Sequence, residues 1–237
     1  MANQTMTKEE YLNKVKEIDT TKEAPKELDN TDFLTVAKER RSVRQYDPEF
    51  KIDRKEIEEL LETATLAPSS SNLQSWRFLV IDELEEKERL LPIANNQQQI
   101  VDASAVIAVL GDKKAYEKAD QIYSQIAEKG NMPEDVKTMY VNSIFDNYGN
   151  FSDERLSKIA HIDGGIVAMQ FMLAAKAKGY DTVPMGGYDE EKFLEAFNVP
   201  EQYTSVMLLS LGKGTKAGFQ KTRLPLEEVV EWNRYEK

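Results

Sequence analysis

Short apolar runs of β-forming residues, set among longer stretches of helical periodicity, predict an α/β or α+β domain built on one sheet. Three runs read as strands: "WRFLVID" (Trp76–Asp82), "AVIAVLG" (Ala105–Gly111) and "SVMLLSLG" (Ser205–Gly212). Helical segments outnumber them, and the 237 residues, 41% hydrophobic, suffice to fill a sizeable core.

The first 31 residues are polar, with a short amphipathic stretch (Tyr11, Val15, Ile18) followed by "DTTKEAPKELDNTD". They read as an N-terminal helical extension and linker, 1–31, ahead of one domain over 32–237. Thr31 or Asp32 can cap the next helix, "FLTVAKERR", whose basic end suits a helix C-terminus. Ile57, Leu60, Leu61 and Ala64 recur at helical spacing until Pro68 and three serines stop the pattern. "ELEEKERLLPIA" predicts a helix between the first two strands, and Lys113–Tyr148 a polar helical region broken at "KGNMPED". Asp153–Gly179 is the longest helical stretch, apolar over most of its circumference as a central helix would be, with Gly179 at its end. After "TVPMGGYD", read as a turn, come a helix at "EEKFLEAFNV", the third strand, a basic glycine-rich loop and a short terminal helix.

Composition narrows the chemistry. No cysteine is present, which excludes disulfides, thiolate catalysis and cysteine-ligated metal centres, so redox work needs an organic cofactor. A single histidine, His161, argues against multi-histidine metal sites and a Ser-His-Asp triad. No run approaches the ~18 apolar residues of a membrane span, and the N-terminus lacks the apolar core of a signal peptide, so a cytoplasmic protein without a membrane partner is expected. With a net charge of −11, bulk attraction to nucleic acid is not expected either.

Against that acidic background, "RRSVRQYD" places Arg40, Arg41 and Arg44 within five residues. From Gln202 through Leu226 there is no acidic residue, while Lys213, Lys216, Lys221 and Arg223 all fall there. Guanidinium forks with a serine hydroxyl suit a phosphate, and Arg40, Arg41, Ser42, Lys221 and Arg223 could together hold one. Either cluster alone is equally what a solvated basic patch looks like. "PSSSNLQSW" (Pro68–Trp76) adds a loop rich in hydroxyls and amides, and "PMGG" (Pro184–Gly187) a backbone that a flat ligand can approach.

In this order the motifs resemble the FMN-dependent nitroreductase family: RRSxR followed by Tyr46 and Asp47, PSSxNxQxW, a P-x-x-G turn after the long helix, and "KTRLP" near the end. The resemblance covers about Asp32 to Trp232. It implies an α+β fold, a mixed and mainly antiparallel sheet flanked by helices, in an intertwined homodimer with two FMN sites at the interface. Arg40 and Ser42, with Lys221 and Arg223, would bind the flavin phosphate or ribityl chain, and Arg41 would add to that region. Arg44 takes the place of the basic residue beside flavin N1 and O2, where reduction leaves negative charge. Pro68, Ser69, Ser70 and Asn72 would come from the partner subunit.

Asn96 matches an amide at the pyrimidine edge. Gln99 falls where some relatives carry lysine, which implies a flavin harder to reduce than theirs. Pro184, Met185, Gly186 and Gly187 form the turn against the ring. Gly186 replaces a glutamate of several relatives, keeping a backbone N–H near N5 but no carboxylate.

The implied reaction is ping-pong. NADH or NADPH passes hydride to flavin N5 and leaves, and a nitroaromatic or quinone then takes two electrons, with no side chain as obligatory acid. The same fold also hosts reductive dehalogenation, flavin fragmentation and azoline oxidation, and a flavin-binding protein without turnover is a further reading. Tyr140, Phe145 and Tyr148 are the candidates for a substrate-facing lid, though as aromatics on helices they equally suit core or interface. His161 reads as a packing or hydrogen-bonding histidine, and Gly164–Gly165 as close helix packing at the dimer interface.

Overall fold

Asp32 starts the first helix as its position predicts, its carboxylate accepting the backbone N–H groups of Leu34 and Thr35. The computed structural model describes Thr7, Glu9, Glu10 and residues 23–235. The expected amphipathic helix through Tyr11, Val15 and Ile18 lies outside the described residues. Helix α1 spans Phe33–Glu39 and stops before Arg40, whose backbone is extended (ψ 126°). The arginine motif thus leaves the helix two residues earlier than its periodicity suggests.

In order follow α2 (Arg54–Ala64), a 3-10 turn at Ser70–Asn72, β1 (Trp76–Ile81), α3 (Leu84–Ile93), α4 (Gln99–Asp102), β2 (Ala105–Asp112), α5 (Ala119–Glu128), α6 (Glu134–Tyr148), α7 (Asp153–Ala177), β3 (Asp181–Met185), α8 (Glu190–Ala196) and β4 (Tyr203–Gly212). The sheet order is β1-β2-β4-β3, and every pairing among these strands is antiparallel. A parallel element comes from an isolated bridge between Ser42 and Thr182, which lays the arginine motif along the free edge of β3.

β3 is the strand the sequence hides. Pro184 in its interior argues for a turn, because proline cannot donate to a ladder. At a sheet edge that missing N–H is tolerated. The expected terminal helix is a single 3-10 turn at Leu226–Glu228.

All eight residues of β2 are buried because helices cover both faces of the sheet. On one face α7 and α2 pack Val167, Phe171, Ile57 and Leu60 against Ile107, Val109 and Leu209. On the other, Leu90 of α3 and Phe193 of α8 meet Val106, Ala108, Val183 and Leu208. The 25-residue α7 lies close to the sheet: a Cβ on Gly164 would sit 2.7 Å from Val206 Cγ2, and one on Gly111 2.6 Å from Ala160 Cβ. Close packing within the chain therefore explains Gly164, whereas nothing lies within 4 Å of a Cβ at Gly165. Among the described residues no helix is long and apolar enough to cross a membrane.

Candidate active site

Arg40, Arg41, Ser42 and Arg44 form one wall of a surface cleft of about 240 Å³, and Phe219–Arg223 form the other. The walls meet because Gly218, at φ +67°, lies against the arginine segment: a Cβ there would stand 2.5 Å from Ser42 O. Among the described residues no carboxylate lines the cleft. Arg41 donates to Phe219 O (3.0 Å), and Lys221 Nζ donates to Ala37 O and Lys38 O (2.7 and 2.8 Å), satisfying carbonyls at the end of α1.

Among the described residues Arg40 Nε is buried without a hydrogen-bond partner. Burial, then the charge of Arg223, holds the Arg40 guanidinium below its usual range. Burial, then Arg40, Arg41 and Arg223, does the same to Lys221. Cations pressed together against their own repulsion, with an orphaned donor among them, fit a polyvalent anion such as a phosphate monoester. Arg44 stands on the same wall, its guanidinium 5.8 Å from the Phe219 ring centroid and donating to Ser42 O at 3.3 Å.

A second group lies further along β3. Thr182 pairs with Ser42, and the five residues on to Gly187 span roughly 16 Å at ~3.3 Å each. Gly187 O accepts from Asn95 Nδ2 (2.8 Å) and Gln97 Nε2 (3.0 Å). Gln99 is buried, its amide donating to Gln97 Oε1 (2.9 Å) and lying 3.5 Å from Met185 Sδ, so it supports the amides beside the turn. Asn95 and Asn96 both adopt left-handed backbone (φ 56° and 54°), which asparagine tolerates. Half-buried Asn96 flanks the turn, where Pro184, Gly186 and Gly187 are exposed while Met185 is buried. Nothing lies within 4 Å of a Cβ at Gly186, leaving its backbone open to a flat ligand.

The serine loop forms a third group, at the head of β1. Asp163 of α7, 1% exposed, accepts the N–H and hydroxyl of Ser70 at Oδ1 (3.0 and 2.9 Å) and the Ser75 hydroxyl at Oδ2 (2.9 Å). Ser69 Oγ accepts the N–H of Gln74. Ser71, Asn72 and Gln74 all have left-handed φ (48°, 51° and 50°), a strained run for residues that are not glycine. Ser71 ties the loop to the helical hairpin: Ser71 O accepts from Tyr123 OH (3.1 Å), and its hydroxyl lies 3.0 Å from Tyr148 OH. Tyr148 stacks on Tyr116, and Tyr140 on Tyr123.

The structure brings Arg40, Arg41, Ser42, Arg44, Lys221 and Arg223 into one cleft and joins it through β3 to Asn96, Gln99 and Pro184–Gly187. Pro68, Ser69, Ser70 and Asn72 stand apart. They precede β1, at the sheet edge opposite β3 and three strand spacings away, or roughly 14 Å. His161 is exposed, its Nδ1 2.8 Å from Ser157 O of its own helix.

Sequence reading misses Asp163 and Lys87. Lys87 is 1% exposed and donates to Val101 O and Ala103 O (3.0 and 2.6 Å), fixing the segment after Gln99. Burial, with a smaller push from Lys51, pulls its ammonium down to about 8. Neither residue belongs to a motif, and only burial marks them. Among the described residues no group of three or more carboxylates or histidines could hold a metal ion.

A sequence profile described as "Nitroreductase family" matches residues 37–213. The Bacillus subtilis protein named "Putative NAD(P)H nitroreductase YdgI" is 45% identical over 207 residues, covering 86% of this chain and 99% of that protein. A "CLA biosynthesis enone reductase" of Lactiplantibacillus plantarum is 34% identical over 204 residues, 85% of this chain and 94% of that protein. Among solved structures, an Exiguobacterium sibiricum "putative nitroreductase in complex with FMN" superposes with a TM-score of 0.83 at 46% identity, covering 88% of this chain and all of that one.

Proposed function

Because this chain belongs to the nitroreductase family, we propose that it is an NAD(P)H-dependent FMN oxidoreductase whose cofactor phosphate occupies the cleft between Arg40 and Arg223. The observation that carries this placement is Arg40 Nε, buried without a hydrogen-bond partner among the described residues, in a cleft whose described lining is basic and holds no carboxylate. Bound there, FMN would supply the two-electron chemistry between NAD(P)H and an acceptor, in a ping-pong order.

The chain's own residues bind, orient and polarise. Arg40, Ser42, Lys221 and Arg223 hold the phosphate end, with Arg41 beside them. β3 sets the distance to the Asn96, Gln99 and Pro184–Gly187 end, where the open Gly186 backbone would leave room for the ring. Arg44 lies between, a fixed cation whose charge favours the reduced, anionic form.

Pro68, Ser69, Ser70 and Asn72 complete the site from a second copy of the chain. Their place at the opposite sheet edge supports this, as does the apolar stripe Ile162, Ile166 and Met169 on α7, exposed at helical spacing. The exposed tail residues Leu224, Leu226, Val229 and Trp232 supply further surface for a partner to cover. The free donor of Ser69 suits it to meet a ligand, since both donors of Ser70 are committed to Asp163.

Nitroaromatics and quinones are the proposed acceptors, and the similarity to the enone reductase adds activated alkenes. The absence of cysteines and of a membrane-crossing helix among the described residues suits a cytoplasmic enzyme. Steady-state oxidation of NADH and NADPH with menadione, a nitroaromatic or an enone, on protein sized by light scattering, tests the reading. Turnover by an FMN-loaded dimer supports it, and a flavin-free monomer without turnover overturns it.

A further inference from the structure

The segment Glu23–Leu28 precedes the family match, which begins at residue 37, yet it packs on the 213–217 loop behind the basic cleft. Glu23 O accepts the backbone N–H of Ala217 at 2.8 Å. Pro25 packs so closely on the following loop that a Cβ at Gly214 would stand 2.7 Å from Pro25 Cγ. Lys26 O accepts from Lys176 Nζ at 3.3 Å, and Glu27 pairs with Lys213 at 3.5 Å. Lys176 is itself buried against Asp181 (3.1 Å), the first residue of β3.

These contacts complete a layered stack. Next to β3 lies the arginine segment, with Val43 N–H donating to Thr182 O at 3.1 Å. Next to that lies the loop after β4, where Asp47 N–H donates to Lys213 O and Thr215 N–H to Gln45 O, both at 2.9 Å. Tyr46 and Gly214 form a bridge between the same two layers. Glu23–Leu28 is the outermost layer. The two middle layers continue into the two basic walls of the cleft, which repel one another through Arg40, Arg41, Lys221 and Arg223.

We propose that Glu23–Leu28 is an intramolecular brace that presses the 213–218 loop onto the arginine segment and so sets the spacing of the two basic walls for the cofactor phosphate. This rests on the FMN reading of the cleft. The brace touches Lys176, Lys213, Gly214 and Ala217, behind the cleft lining and away from Arg44, so through the spacing of the walls it governs how tightly and how long the cofactor is held, not the ease with which its ring is reduced. It is a positioning element, and it acts on the cleft whether or not FMN is present.

The test compares the full chain with Pro25→Asp, Pro25→Ala and a deletion of residues 1–28. Pro25→Asp brings a second carboxylate toward Asp181 Oδ2, which crowds the same point beside Gly214 as Pro25. Pro25→Ala keeps the backbone bonds. The brace predicts that deletion and Pro25→Asp raise the FMN dissociation constant about tenfold, chiefly through faster release, with the midpoint potential unchanged. Pro25→Ala stays within about threefold. In the FMN-free protein, hydrogen exchange at the Ala217 amide accelerates on deletion.

FMN affinity within twofold of the full chain in both the deletion and Pro25→Asp overturns the brace, as does unchanged exchange at Ala217. If no form binds FMN, the cofactor reading fails instead, and the Ala217 exchange rate alone decides the brace.

Discussion

Ser70 is held to Asp163 twice, its backbone N–H at 3.0 Å and its hydroxyl at 2.9 Å meeting the same carboxylate oxygen of α7. Ser75 takes the other oxygen, so one buried side chain fixes both ends of a loop with three left-handed residues. Asp163→Ala leaves three donors without an acceptor and is expected to cost about 2–4 kcal/mol. Asp163→Asn keeps the shape, and the Ser75 hydroxyl can turn to accept from the new amide, so its cost is expected to be about 1 kcal/mol or less. Urea unfolding of the two variants checks the order, and equal losses would count against the hydrogen-bond account.

Arg223→Gln is expected to move stability and cofactor binding independently. It removes a cation that lowers the Arg40 guanidinium from its usual range and makes no ion pair among the described residues. Thermal unfolding without FMN should be unchanged or slightly raised, while FMN binding weakens about tenfold, the scale of one charge-assisted contact. A parallel fall in both would mean that Arg223 supports the fold rather than the ligand.

Arg44→Ala separates binding from electronics. Arg44 lies along the wall from the phosphate end, against Phe219, so much of the FMN affinity is expected to survive its loss. The midpoint potential should fall, because a fixed cation near the developing charge is removed. A spectroelectrochemical titration reads this directly, and an unchanged potential would remove Arg44 from its assigned role.

How far the sequence discloses this molecule depends on which force sets each element. Three strands and the long helix are legible because burial on more than one side demands apolar runs. β3 is not, since Pro184 is permitted by an edge position that only the assembled sheet defines. The six basic-cleft residues are legible as motifs, but Asp163, which holds the serine loop, and Lys87, which holds the segment after Gln99, act from unremarkable helix positions. Gly164 is legible as a close contact but not as to what it contacts.

That contact carries its own prediction. Gly164→Ala places a methyl against Val206 and is expected to destabilise by about 1–3 kcal/mol, partly relieved by Val206→Ala. Gly165→Ala, with open space at its Cβ, should be neutral or stabilise the helix by up to about 1 kcal/mol. Chemical denaturation of the single and double variants checks the pair.

Lys87 predicts a pH dependence. Its folded-state value is near 8, below the ~10.4 of an exposed lysine, so between these values the unfolded chain binds more protons. Stability contributed at this position therefore rises with pH from about 8 to about 10.4 and is flat below. The unfolding free energy of the wild-type chain relative to Lys87→Met should grow in favour of wild type across that window. A constant difference would contradict the assignment.

Whether the cleft holds a working flavin is read most directly from an anaerobic absorption spectrum of the purified protein, taken alone, after NADH, and after a nitroaromatic or quinone. The expected result is a flavin spectrum that bleaches with the nicotinamide and returns with the acceptor. A colourless protein that takes up no added FMN, or a bound flavin that NADH and NADPH both leave oxidised, would contradict it.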